Sequence, residues 1–202
     1  MIQKSPSELT ERENYKLLIG SIVPRPVALV TTRSENGSVN VAPFSYFSIV
    51  SSNPPIVSLA IQRKTNKLKD TAANLLTTKE AVIHILDEDN VVDGNQTAAT
   101  LPKEESELSR TTFSIDDAQT VGAPVLRESK IRFETELYQR IEIKENEQIT
   151  ADLFLLKIKH YQVDESVYDE GRILIEKLKP VSRLAGNNYA KIGEIFTLVR
   201  PD

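Results

Sequence analysis

"RPVALVTTRSENGSVNVAPFSYF", residues 25–47, decides the fold. Residues 26–32 are rich in β-branched and apolar types, and "VNVAPF" resumes the pattern after a polar break. Asn36-Gly37 in that break is a strong hairpin signal, because both residue types tolerate positive φ. The chain therefore opens with a β-hairpin, preceded by a short segment around "YKLLIG" that reads as helical. Pro43 lacks a backbone donor, so the second strand is expected to interrupt its ladder there and release neighbouring backbone groups.

Further along, "SNPPIVSLAIQR" places two prolines at a strand start. The nearly continuous apolar run Ile56–Ile61 predicts a strand buried on both faces. "KLKDTAANLLTTK" then reads as a helix with Leu68, Ala72, Leu75 and Leu76 on one side. Its entrance, Lys69-Asp70-Thr71, has two readings. Asp and Thr are favoured caps for first-turn N–H groups, and the same N–H groups, with a lysine and a hydroxyl, suit a phosphate. "AVIHIL" follows as another strand.

Residues 87–124 change texture: they are polar, with a helix expected around "KEESELSR" and no long strand. A lid or specificity segment is expected here, since loops carry variable function. "KIRFETELYQRIEI" and "ADLFLLKIKHYQVD" alternate and predict two long antiparallel strands joined near "KENEQIT". Ile131, Phe133, Thr135 and Leu137 share one face of the first; Phe154, Leu156 and Ile158 share one face of the second, where His160 would follow. The tail mixes a Pro-initiated segment, a Gly-centred turn and an apolar strand-like end. About seven mostly antiparallel strands with a few helices predict a barrel or strongly curled sheet. Neither a dinucleotide fingerprint nor a P-loop is present.

Composition narrows the chemistry. At 202 residues the length fits one domain over 1–202. A net charge of -4 and a pI near 5.4 argue against a nucleic-acid surface. There is no cysteine, which removes thiolate catalysis, Fe–S ligation and cysteine zinc sites. The N-terminus lacks the apolar core of a signal peptide, and the apolar runs are too short to span a membrane, so a cytoplasmic location is expected. His84 and His160 lie in strands and read as structural; they cannot assemble a His triad or a multi-His metal site. Redox chemistry would need a borrowed cofactor.

"VPRPVALVTT", "NGSVNVAPFSYFSIVSSNPPIVSLAI", "KDTAANL" and "RLAGNNY", in that order, resemble the flavin reductase-like family of FMN-binding split barrels, over roughly residues 15–200. That family includes flavoredoxins and the reductase components of two-component monooxygenases. The resemblance implies a mainly β (α+β) fold, a six-stranded antiparallel split β-barrel with flanking helices. It also implies a homodimer binding FMN, or FAD, near the subunit interface. NAD(P)H would be the electron donor, and a monooxygenase or other acceptor the partner. An FMN electron carrier of the flavoredoxin kind, and the pyridoxamine-phosphate-oxidase type of split barrel, are the alternatives.

By the same resemblance Asn40, Ala42, Pro43, Phe44 and Ser45 line the flavin ring. Lys69 and Thr71 approach its phosphate, with Asp70 capping the helix or orienting Lys69. Arg25 in "PRP" and Arg63 in "IQRK" are further candidate cations. Arg183 and Tyr189 would close over the site, although this chain has Ala185-Gly186 where the family often has Gly-Gly.

Overall fold

The computed structural model describes residues 1–63, 67–99 and 106–201. Seven strands form one antiparallel sheet: β1 (Ala28–Arg33), β2 (Val39–Phe44), β3 (Phe47–Ser52), β4 (Pro55–Gln62), β5 (Glu80–Ile85), β6 (Ile131–Glu145) and β7 (Gln148–Val163). Their spatial order is β2-β1-β5-β6-β7-β4-β3. The two outermost strands are consecutive in the chain, joined only by Ser45 and Tyr46. A sheet whose edges are tethered by two residues must roll until those edges meet. No ladder joins β2 to β3 among the described residues, so the barrel stays split at that seam.

Rolling buries Ala28, Val30, Phe44, Val57, Leu59, Ile61, Ile83, Phe154 and Leu156 in one core, to which α2 (Asp70–Thr78) adds Ala72 and Leu75. β4 alternates, with Val57, Leu59 and Ile61 buried but Ser58 and Ala60 half-buried. The two-faced burial expected there belongs instead to β1 and β5, whose four central residues or more are all buried. The cause is the segment after β5. Its later part is outer packing and not a lid: Phe113, Ala123, Val125 and Leu126 pack on the outer barrel face against Leu29, Val41 and Val82, while Ala98, earlier in the segment, borders the cavity described below. The expected helix around residues 103–110 is a single 3-10 turn at Glu107–Arg110, and residues 103–105 lie outside the described residues. That turn also guards the open edge of β2, where Ser106 Oγ donates to Val39 O and Glu107 accepts from Val41 N.

Turn chemistry follows the sequence with two differences. The first hairpin closes through Ser34–Ser38, and Gly37 takes φ +89°. Asn36 uses its side chain instead, accepting from Ser38 N at 3.1 Å. The β6–β7 turn has both Asn146 and Glu147 at positive φ, the two-residue turn whose twist matches paired strands. The β1–β2 register also runs unbroken through Leu29↔Pro43, so the expected interruption does not occur. β2 is an edge strand, where a proline's missing donor is tolerated.

Three buried polar sites hold the frame. His84 is fully buried between Leu29 O, 3.0 Å from Nδ1, and Leu126 N, which donates to Nε2 at 2.9 Å. Burial pushes its pKa down to about 3, so the ring is neutral, with Nδ1 carrying the proton. Glu134 accepts from Gln119 N, Thr120 N and Oγ1, and Gln162 Nε2. Asp152 receives Arg63 and Arg140. α1 (Glu11–Ser21) starts with a reciprocal cap between Thr10 and Glu13. No described helix is long and apolar enough to cross a membrane.

Candidate functional site

The seam opens into a cavity of about 470 Å³, within the range of cofactor sites. Its floor comes from the quoted hairpin and its continuation. Val27, Pro43 and Phe44 supply apolar surface, Ser45 and Tyr46 the link between the barrel edges, and Ala60 and Gln62 the facing strand. Ala60 N donates to Tyr46 O at 2.9 Å, which pins the link to β4. Tyr15 and Ile19 of α1 close one side. The strand Val181–Arg183 and the turn after it, carrying Leu184, Gly186 and Tyr189, close another.

Of the residues expected at the site, Arg25, Pro43, Phe44, Ser45, Lys69, Arg183 and Tyr189 line this cavity. Lys69 is the N-cap position of α2, and its Nζ lies 5.8 Å from the centre of the Phe44 ring. The Arg183 guanidinium stacks 4.6 Å from the centre of the Tyr189 ring and donates to Gly186 O at 2.6 Å.

The other five lie apart from the cavity lining. Ala42 faces the barrel core. Thr71 is buried, and its hydroxyl accepts from Asn40 Nδ2 at 2.8 Å, so these two side chains engage each other across the α2–β2 contact. Asp70 is the exposed first residue of α2 and not its cap. Arg63 makes a bidentate pair with Asp152, at 2.8 and 3.0 Å. Burial alone would raise the Asp152 carboxyl, but Arg63 and Arg140 hold it below the ordinary carboxylate range. Sequence reasoning missed Tyr46 and Val27, although both stand inside the decisive stretch. Tyr15 and Ile19 carried no signal, because only the packing of α1 brings them to the cavity.

Arg25 is the most informative side chain here. It is 7% exposed. Nη1 donates to Ile19 O at 2.8 Å and to Ile22 O, and Nη2 donates to Leu184 O at 3.0 Å. The guanidinium thus ties the end of α1 to the opposite wall. Nε is buried with no partner, and no carboxylate pairs with Arg25 among the described residues. Buried charges are normally paired, because taking an ion out of water costs several kcal/mol. Among the described residues the cavity has three cationic side chains and no carboxylate in its lining, within a chain of net charge -4. Such a lining sets positive charge beside an apolar wall.

Known proteins agree with this architecture. A 2-nitrobenzoate 2-nitroreductase of Pseudomonas fluorescens is 26% identical, with a TM-score of 0.88 over 99% of this chain and 96% of its own. The nitrilotriacetate monooxygenase component B of Bacillus cereus is 45% identical, with a TM-score of 0.96 over 98% of each chain. The Bacillus subtilis protein YwrF, uncharacterised, is 46% identical over 197 residues, covering 96% of each chain. The model of the flavin reductase like domain matches residues 19–178, most of the chain and the whole split barrel. This protein belongs to the flavin reductase-like family.

Proposed function

We propose that this protein is an FMN-binding NAD(P)H:flavin oxidoreductase. The observation that carries the reading is the Arg25 guanidinium, with no carboxylate partner among the described residues, in a cavity whose described lining includes Lys69 and Arg183 and no acid. The residues present fit a flavin mononucleotide. Lys69, at the start of a nine-residue helix, supplies charge for the phosphate, joined by the helix's own N–H groups. Pro43, Phe44 and Val27 supply the flat apolar wall, and Ser45 and Tyr46 the polar groups for the ring edge. Arg183 and Tyr189 sit across the opening. A flavin held there would supply the hydride-accepting chemistry, with NAD(P)H as the donor. The chain's residues orient the reactants and supply the electrostatics; among the described residues the lining holds no histidine or carboxylate for acid–base work.

The likeness to nitrilotriacetate monooxygenase component B supports a role in delivering reduced flavin to a monooxygenase partner. A homodimer suits the same site. Leu153 stands between Ile141 and Ala60, so a partly apolar face runs from the cavity wall along the β6–β7 hairpin, with Ile141 and Ile143 exposed.

The test is direct. The purified protein should be yellow or bind added FMN at micromolar concentration, and stopped-flow absorbance should show reduction by NADH or NADPH faster than for free FMN. A colourless protein that ignores FMN ends the flavin reading. FMN binding without accelerated reduction replaces it with an electron carrier.

A further inference from the structure

Residues 192–201 leave the barrel as an extended segment with no strand, helix, hydrogen bond or ion pair of their own among the described residues. The root is fixed: Tyr189–Lys191 pairs with Val181–Arg183, and Lys191 Nζ meets Glu88 at 2.6 Å. Beyond it the composition is that of a core strand. Ile195, Phe196, Leu198 and Val199 are 68% to 92% exposed. Solvated tails are poor in such residues; Ile192, Gly193 and Ile195 border a groove with Ile175 and Lys179 of their own chain, whereas Phe196, Leu198 and Val199 stand open among the described residues.

We infer that residues 192–201 are an arm that crosses to a second copy of the chain and lies against the outer face of its α1. This rests on the reading of the protein as a homodimer and adds the means of pairing. Three observations select the occupant. Ten extended residues reach about 33 Å, enough to cross a subunit boundary. Burying the arm's apolar side chains removes on the order of 400 Å² per arm; two reciprocal arms with the surfaces they cover reach about 1,500 Å², the size of a specific interface. Finally, α1 and the turn that ends it carry a matching exposed apolar surface: Leu17 and Leu18 on the helix, and Ile22 and Val23 just after it, are 42% to 60% exposed. Tyr15 and Ile19 of the same helix line the cavity, so an arm seated on α1 braces a wall of its partner's site.

The chain has no cysteine, which makes the test clean. Leu18→Cys and Phe196→Cys are prepared as separate proteins, mixed and oxidised. A disulfide-linked species at twice the 22.6 kDa chain mass, absent when either protein is oxidised alone, is expected. If only the double variant cross-links, and only within one chain, the arm folds back and the inference falls. Deleting residues 192–202 should weaken self-association at least a hundredfold by sedimentation, while the thermal unfolding midpoint of the monomer hardly moves. A deletion protein that pairs as tightly as the full chain overturns the arm and leaves the dimer reading standing. A full-length chain that sediments as a monomer at all concentrations overturns both. Phe196→Asp with Leu198→Asp repeats the deletion test in the full-length chain.

Discussion

Two arginines a short distance apart in the sequence read alike before the fold is known, and the structure gives them opposite situations. Arg63 shares the buried Asp152 carboxylate with Arg140, and every charge in that cluster has its counter-charge inside the chain. Arg25 is as deeply placed, spends its Nη groups on carbonyl oxygens and keeps Nε unused. The first arrangement is complete without a ligand. The second has its Nη groups on carbonyl oxygens but no counter-charge among the described residues. A cation whose charge is already met is architecture; a buried cation with none among the described residues is the candidate for a ligand.

Breaking the complete cluster should have the largest effect. Asp152→Asn keeps the shape but leaves Arg63 and Arg140 facing a neutral amide. Removing one partner of a buried ion pair costs about 3–5 kcal/mol, and the lower end applies because Arg140 reaches solvent. Urea unfolding should show that loss, and FMN affinity of the folded fraction should not change. Arg25→Met makes the converse cut. The loss of a charge-assisted contact to the ligand, about 2 kcal/mol, should weaken FMN roughly thirtyfold by fluorescence titration. Stability should move less, because deleting an unpaired buried charge offsets the lost carbonyl contacts. An Arg25→Met protein with unaltered FMN affinity would place the anion elsewhere.

His84 belongs with Arg63 as a buried group satisfied from within, and pH exposes the consequence. Its folded pKa is about 3 against an ordinary 6.5, so the unfolded chain takes up the proton first as pH falls. The contribution is intact above pH 6.5 and is lost towards pH 3, at about 1.4 kcal/mol per pH unit, or about 2 kcal/mol by pH 5. Unfolding free energies at pH 7 and pH 5 measure it. The His84 share of the slope should be absent in His84→Gln, leaving only what groups such as Asp87 and Glu107, whose carboxyls burial pushes up, contribute.

The difference between the two arginines also explains what could be read in advance. The hairpin, the long β6–β7 pair and the barrel were legible because period-two alternation and turn residues act locally. The cavity floor at Pro43–Ser45 came from the family resemblance, not from local pattern, and it lies within one continuous stretch. Arg63 was not distinguishable from Arg25, because its partner Asp152 lies 89 residues away and only strand pairing brings them together. The segment after β5 looked like a lid because its buried residues are few and irregularly spaced. Its packing on the outer barrel face depends on the curl of the sheet, which no local pattern encodes. Tyr15 and Ile19 were hidden for the same reason.

The smallest effects come from dividing Lys69-Asp70-Thr71, where the sequence offers a phosphate site or a helix cap. The structure splits the triplet: Lys69 lines the cavity, whereas Thr71 is buried and accepts from Asn40. Lys69→Ala should therefore raise the FMN dissociation constant about tenfold, near 1.4 kcal/mol, and leave riboflavin, which has no phosphate, unaffected. Thr71→Ala should change neither flavin's affinity and should cost about 1 kcal/mol of stability, since Asn40 Nδ2 loses its acceptor. Asp70→Ala removes an acidic group from the first turn and should cost only a few tenths of a kcal/mol. Titrating both flavins against the three variants, with urea unfolding of each, separates the roles. Equal weakening of FMN and riboflavin by Lys69→Ala would assign Lys69 to the ring wall beside Phe44, and the phosphate would then fall to Arg25 or Arg183.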